Sequence, residues 1–572
     1  MDTVWTEGVD RRKPLPEYPR PQMARKGWIN LNGPWDYAIT RSSRFPKEFE
    51  GQILVPYSPE SELSGVGRTL HSGEYLWYRR TVLLPESFSG KRVLLHFGAV
   101  DQSCTVWVND SQVLQHSGGY LPFEADVTEA IGDGNLTITV RVTDDTEKSG
   151  LGRGKQRPQT GVLRYKLTES IWYTPQSGIW QTVWMEAVPE SYIRSLKITP
   201  DLEKSGVHVS ADIVGEEQAE AVFEGERYPL PGLIPVPEYE AWTPDNPKLY
   251  GFSVECGEDT VQSYFAMRRF SVEKDREGKP RLFLNGKPCF HNGLLDQGYW
   301  PDGLYTPPSD AAMVFDISTA KAMGFNMLRK HVKVEPLRWY YHCDRLGMLV
   351  WQDIPNGGFQ YNPLVISAPL VTGLHMKDRR YWLFGRGSRE VRDAFREEVS
   401  RTVQTLYNCP CIAMWVPFNE GWGQFDAARF FQMIRKLDKT RTIDHASGWH
   451  DQGIGLIRSD HAYFKDYSFR SDSRSRAVVL SEFGGYNHRV AEHCFGDRDF
   501  GYKRFDTPEA LKEALEELYE KQIRPAAKEG LAAAVYTQLS DVENELNGFL
   551  TYDRKVVKLE PETVKEIIKV EI

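Results

Sequence analysis

No apolar run in the 572 residues approaches the length of about 18 that a helical bilayer crossing needs, which argues against a membrane span. Blocks of basic residues are missing as well. With 70 lysines and arginines against 79 acidic residues the net charge is −9, which argues against a nucleic-acid partner. The opening stretch, MDTVWTEGVDRRKPLPEYPRP, lacks the basic-then-apolar pattern of a leader, so a cytoplasmic protein is expected. Cysteine is scarce: Cys104, Cys256, Cys289, Cys343, Cys409, Cys411 and Cys494 are odd in number and scattered, which excludes a disulfide framework and predicts reduced thiols. Neither a second pair nor a histidine cluster completes Cys409-Pro410-Cys411, so no zinc site is expected.

What is present suits a large multidomain protein. A chain of this length exceeds one core, and about 100 to 250 residues per domain predicts three or four. Aromatics make up 12 %, a level that serves both large cores and flat platforms for sugar rings. Residues 1–189 alternate apolar and polar in YLWYRRTVLL, RVLLHFGAV, CTVWVND and LTITVRVTD, between Gly, Asn and Asp turns. That period of two predicts a jelly-roll β-sandwich. A Gly-, Arg- and Lys-rich stretch at 146–178 interrupts it, either as filler or as a loop reaching a neighbouring domain. Residues 190–271 hold a second set of short strands whose length fits an immunoglobulin-like β-sandwich.

From 272 to 572 the rhythm becomes strand then helix. Helices are expected at 309–323, 335–346, within SREVRDAFREEVSRTVQTLY, and near 424–437, 508–528 and 558–570. Eight strand-like segments, the sixth the weakest, predict a (β/α)₈ TIM barrel. An open doubly wound sheet is the competitor, but no Gly-rich phosphate loop follows the first strand.

In such a barrel the strand ends converge on one pocket. WVPFNEGWGQF ends the fourth strand with Asn419 and Glu420, and VVLSEFGGY ends the seventh with Glu482. Two glutamates at one mouth suit glycoside chemistry, in which one carboxyl donates a proton and the other, ionised, attacks the anomeric carbon. Burial and hydrogen bonding separate the two roles; the sequence pattern leaves open which glutamate takes which.

Several segments, in order, resemble glycoside hydrolase family 2, the group of β-galactosidases, β-glucuronidases and β-mannosidases. In the first domain these are GWINLNGPWDY, WYRRTVLLP, VWVND with HSGGYLPFEADVT, and SGIWQTVWMEAVP; in the barrel, NMLRKHVKVEP, WYYHCDRLGMLVWQD, PFNEGWG, SEFGG and TQLSDVENELNGFLTYDR. The resemblance covers nearly the whole chain. It implies that Glu420 is the acid/base, that Asn419 bonds the sugar 2-hydroxyl and that Glu482 is the nucleophile. It also implies that Arg329 holds the nucleophile ionised and, more loosely, that Tyr463 bonds it.

Further pocket candidates are His331, close to Arg329; Asp296, Tyr299 and Trp300 after the first strand; Asp353 ending the third; Trp449 after the fifth; and Gln538 after the eighth. Each has a structural alternative as core or loop residue. Two departures matter. The β-glucuronidase pattern of Asn followed two residues on by Lys is absent, since Asn547 is followed by Gly548 and Phe549, which lowers a glucuronidase. The magnesium-binding cluster of some large β-galactosidases has no counterpart, so no metal or other cofactor is expected. The chain ends soon after the barrel pattern, so a three-domain version is expected.

The reading is therefore a retaining, exo-acting β-glycosidase with a carbohydrate substrate, most like a β-galactosidase. Other β-glycosidase specificities, a transglycosidase and a non-catalytic carbohydrate-binding protein on the same fold are the alternatives. A homo-oligomer is left open.

Overall fold

The computed structural model describes residues 1–132, 135–157, 171–359, 361–373 and 375–572. Its first part is a sandwich of two antiparallel sheets. One has the order Trp28–Asn30, Val183–Val188, Arg92–Phe97, Phe123–Asp126. The other runs Gly51–Val55, Gly33–Thr40, Tyr75–Leu83, Asn135–Thr143, Ser103–Val108, Ser111–Ser117. Period two sends Leu76, Tyr78 and Val82 of one strand and Leu136, Ile138, Val140 and Val142 of its neighbour to the same core.

A smaller sandwich follows. Tyr192–Asp201, Gly206–Val214 and Gly232–Pro235 form one sheet, and Glu226–Pro229, Ala219–Phe223, Tyr250–Cys256 and Asp259–Phe265 the other. Arg25 joins the two sandwiches by bonding Glu186 and Asp259, each at 2.8 Å. The next strand, Phe270–Lys274, straddles position 272 and pairs with Pro280–Leu284, where Arg281 donates to the Ala527 and Leu531 carbonyls under the barrel.

The barrel strands are β1 (His291–Asp296), β2 (Met327–Lys330), β3 (Leu349–Asp353), β4 (Ile412–Val416), β5 (Thr442–Ile443), β6 (Ile457–Ala462), β7 (Ala477–Gly484) and β8 (Leu531–Thr537). They pair in parallel in the order β5-β4-β3-β2-β1-β8-β7-β6. Every residue of β1 to β4, β7 and β8 is buried, as expected of parallel strands covered on both faces.

The helices are α1 (Asp310–Ala322), α2 (Leu337–Leu346), α3 (Pro363–Thr372), α4 (Arg389–Leu406), α5 (Ala427–Leu437), α6 (Pro508–Leu518), α7 (Arg524–Glu529) and α8 (Pro561–Ile568). Ser309 and Ser388 cap α1 and α4 by accepting from the Ala312 and Val391 amides.

Three expectations need correction, and one helix is an addition to them. The weakest strand is β5, not β6: after two ladder pairs the chain turns irregular at Asp444, and β5 and β6 are not bonded to each other. Among the described residues no helix joins β5 to β6 or β6 to β7. The first of those links carries Gly448, Gly453 and Gly455, all with positive φ. The single helix expected at 508–528 is α6, a π-turn at Tyr519–Ile523 and α7, because Pro525 has no amide to continue the ladder. Helix α3, after β3, went unanticipated.

The stretch 146–178 reaches the barrel where it is described. Arg153 and Gly154 donate their amides to the Asn356 carbonyl at 2.8 and 3.2 Å, and Thr174 donates its amide to Glu543 at 2.6 Å. Residues 158–170 of that stretch lie outside the described residues.

Candidate active site

The strand ends bring two carboxylates together. Glu420 follows β4 and Glu482 lies in β7, with an oxygen of each within 4.8 Å of the other. So close an approach is nearer to the roughly 5 to 5.5 Å of retaining pairs than to the roughly 6.5 Å or more of inverting ones. Glu420 has a left-handed backbone, φ 50°, a strained conformation of the kind stored at functional sites. The glycines after it have a direct cause. Gly421 and Gly423 also have positive φ, and a Cβ on them would sit 2.6 Å from the His450 ring and 2.2 Å from the Gly357 carbonyl.

Arg329, fully buried at the end of β2, organises one side. Its Nε donates to Asp353 at 3.0 Å, Nη1 to Glu482 at 3.1 Å and to the Ser481 carbonyl at 3.0 Å, and Nη2 to Asn419 at 2.9 Å. Burial works to lower its pKa, but the charges of Asp353 and Glu482 outweigh it and raise the pKa above the ordinary value. The guanidinium thus stays charged and faces the nucleophile candidate. His331 shares Asp353 at 2.8 Å. Tyr463 donates to Glu482 at 2.5 Å and stacks on Tyr502 with centroids 3.8 Å apart.

Glu420 has a different partner. His461 Nδ1 lies 2.8 Å from it, and Trp422 donates its indole N–H at 3.2 Å. Burial pushes the Glu420 carboxyl up, but the hydrogen bond and charge of His461, with the charge of Lys155, prevail and hold it at about 2. The carboxylate is ionised in the resting site.

Other expected residues separate into two groups. Trp449 packs 5.3 Å from the His461 ring and belongs to the wall. Gln538, at the end of β8, accepts from Gln297 at 2.9 Å. Asp296 ends β1, but its carboxylate is spent on Lys330 at 2.6 Å and the Gly298 amide at 2.9 Å. Trp300 is built into packing against Trp5 and under the Arg554 guanidinium, so neither residue meets the carboxylate pair. Tyr299 packs on Tyr173 and Tyr305.

Sequence reasoning missed His461, although a signal existed: it precedes Tyr463 by two residues on an extended segment, and such residues share a face. Lys155 and Tyr173 were also missed, because strand-end counting does not reach loops from another domain, and Glu545 because it lies well past the end of β8. The metal-type spacing of Glu420, His461 and Glu482 is the one such cluster among the described residues. Cys409 and Cys411 are buried free thiols outside it.

Comparison with known proteins fixes the family. The glycosyl hydrolases family 2 sugar binding domain matches residues 68–165, and the family 2 TIM barrel domain matches residues 280–539. The chain belongs to glycoside hydrolase family 2. This family 2 enzyme is a glycoside hydrolase of the β-glycosidase type.

Its relatives carry different names. A β-galactosidase of Thermoanaerobacter pseudethanolicus is 25 % identical over 393 residues, 64 % of this chain and 47 % of that protein, so the chain spans about half the length of that relative. The Homo sapiens β-glucuronidase is 23 % identical over 512 residues, 79 % of this chain and 74 % of the relative. Among solved structures, a Ruminococcus gnavus β-glucuronidase in complex with uronic isofagomine has a TM-score of 0.75 at 16 % identity, covering 97 % and 100 % of the two chains. An Eisenbergiella tayi β-galacturonidase bound to galacturonate has 0.71 at 17 %, covering 96 % and 99 %. The structural likenesses establish the fold.

Replacing Arg329 tests the electrostatic side of the site. Arg329→Met leaves Glu482 and Asp353 buried without their shared cation, a change that costs about 3 to 5 kcal/mol when a buried pair is broken. The expected outcome is a loss of kcat/KM of about 100-fold or more. An unchanged kcat/KM in a folded Arg329→Met variant would remove Arg329 from this role.

Stability should report the other side. With its folded pKa held at about 2, below the roughly 4.3 of an unfolded glutamate, Glu420 stabilises the fold above that unfolded value. This contribution is lost as pH falls from about 4 toward 2. Urea midpoints should drop across that window in the wild type and drop less in His461→Gln.

Proposed function

We propose that the enzyme is a retaining, exo-acting β-glycosidase whose substrate is a neutral β-D-pyranoside, a β-galactoside foremost. The close approach of Glu420 and Glu482 carries this reading. Glu482 attacks the anomeric carbon as the glycosidic C–O bond breaks, and the departing oxygen takes a proton held in the Glu420–His461 hydrogen bond. Water then attacks the glycosyl ester, gives its proton to Glu420, and the bond to Glu482 breaks. Asn419, fixed by Arg329, faces the 2-hydroxyl.

Charge supports a neutral sugar. Glu420, Glu482 and Glu545 are carboxylates of the mouth, while Arg329 is already committed to Asp353 and Glu482. Such a field opposes an anionic sugar. A β-uronide is the second reading, favoured by relatives named β-glucuronidase and by the ammonium of Lys155.

A panel of nitrophenyl β-glycosides, galactoside, glucuronide, galacturonide, mannoside, glucoside and arabinoside, decides the sugar. Proton NMR of the first-formed product decides the stereochemistry. A first product of inverted configuration would rule out the mechanism. Chelation by EDTA should leave the rate unchanged, because both carboxylates serve proton transfer and attack; a loss restored by added metal would overturn that.

A further inference from the structure

The N-terminal sandwich sends a short segment across the barrel mouth, and its seat is specific. Besides the two amides donated to Asn356, Arg153 Nη1 donates to the Gly358 carbonyl at 2.8 Å. Gly154 has φ 57°, and a Cβ there would lie 2.7 Å from the Val332 carbonyl and 2.8 Å from the hydroxyls of Tyr120 and Tyr305. The chain continues into a bridge between Gln156 and Tyr173, with the Tyr173 amide bonded to the Lys155 carbonyl at 2.9 Å. Lys155 is therefore held by backbone on both sides.

Its side chain is the unusual part. Lys155 is only 8 % exposed, yet among the described residues no hydrogen bond or ion pair reaches its ammonium. The nearest recorded contact is the Trp172 ring, 5.5 Å from Nζ. Trp172 packs on Trp422, the residue that bonds Glu420. With no oxygen partner of its own, the ammonium on this enclosed side chain can donate to the oxygens of a ligand.

Glu545, on the turn after β8, is tied to the same segment through Tyr173. It is 3 % exposed and accepts from the Tyr173 hydroxyl and from Asn547 at 3.1 Å. Burial raises its pKa, and the charge of Lys155 is the first influence opposing that rise. The same ammonium acts on Glu420 and on His331, so it lies among groups after β2, β4 and β8.

The geometry points to Lys155 and Glu545 as a hydroxyl clamp, one donor and one acceptor from two domains, that grips adjacent hydroxyls at the non-reducing end of a neutral pyranoside. This rests on the proposed β-glycosidase reading and deepens it. A hydroxyl gives a hydrogen to Glu545 and accepts one from Lys155, which satisfies both groups together. A carboxylate in the same place would pair with Lys155 but meet Glu545 and the catalytic carboxylates.

The test uses the full chain and its best nitrophenyl glycoside, with the 3-deoxy, 4-deoxy and 6-deoxy counterparts of that sugar. Lys155→Met and Glu545→Gln should each lower kcat/KM for the parent sugar by about 100-fold or more, chiefly through KM if binding is uniform. On the deoxy sugar that lacks the gripped hydroxyl the loss should shrink to about threefold or less, and the double variant should be non-additive. Lys155→Arg should recover part of the activity.

Equal losses on every deoxy sugar, or no loss, would reduce Lys155 to a structural residue. Faster turnover of a uronide than of any neutral glycoside, lost in Lys155→Met, would replace the hydroxyl clamp by a carboxylate reader. If the wild type cleaves no β-glycoside, the underlying functional reading fails instead. Thermal melts of each variant separate misfolding from these outcomes.

Discussion

Glu482→Ala is expected to abolish turnover of an activated aryl β-glycoside, with a fall on the order of 10⁵-fold or more, as for loss of a nucleophile acting within a unit. The structural cause is the absence of a substitute. The other nearby carboxylates are tied to their own tasks: Asp353 bonds Arg329 and His331, and Glu420 bonds His461 and Trp422. Alanine also opens space on the side of the ring that Glu482 attacks. Azide should enter there and restore turnover as the glycosyl azide of inverted, α configuration. Rescue giving the β-azide, or a variant with ordinary hydrolysis, would show that Glu482 is not the nucleophile.

The second large effect is selective. Glu420→Ala should slow poor leaving groups by about 10² to 10⁴-fold, because they need the proton, while leaving the first step for dinitrophenyl glycosides nearly unchanged. Azide should accelerate release of the intermediate and yield the β-glycosyl azide, since the vacated side is now the other face. Leaving-group dependence of kcat/KM is the measurement. A uniform loss across good and poor leaving groups would remove Glu420 from the acid role. His461→Gln should resemble a milder version, because the proton that poor leaving groups need is held in the Glu420–His461 hydrogen bond and the variant removes one of the two groups that share it.

The barrel was legible from sequence because its cause is local. Buried parallel strands such as IAMWV and LAAAVYT are continuous apolar runs, and each ends where polar function begins. Glu420 and Glu482 followed from counting those ends. Arg329 and Tyr463 bond Glu482 directly, Asn419 and Asp353 are joined to it through Arg329, and His331 through Asp353; each stands at or just beyond a strand end. Strand-end position alone misleads for Asp296, whose oxygens are claimed by a lysine one strand over and by the Gly298 amide. It also failed for Trp300, where a cation from the last turn, Arg554, covers the ring. Such competition between partners is a property of three dimensions. The same holds for Lys155 and Tyr173, whose place depends on how one domain lies on another.

Tyr173 and Glu545 meet across 372 positions of the chain. During synthesis the first sandwich can fold long before the last barrel strand leaves the ribosome, since domains generally fold as units from the N-terminus. The pocket has no such head start: one wall comes early, and the turn carrying Glu545 comes only after the eighth barrel strand. Glycosidase activity therefore reports synthesis through that turn, and a nascent polypeptide stalled before it would carry a formed sandwich and a silent site.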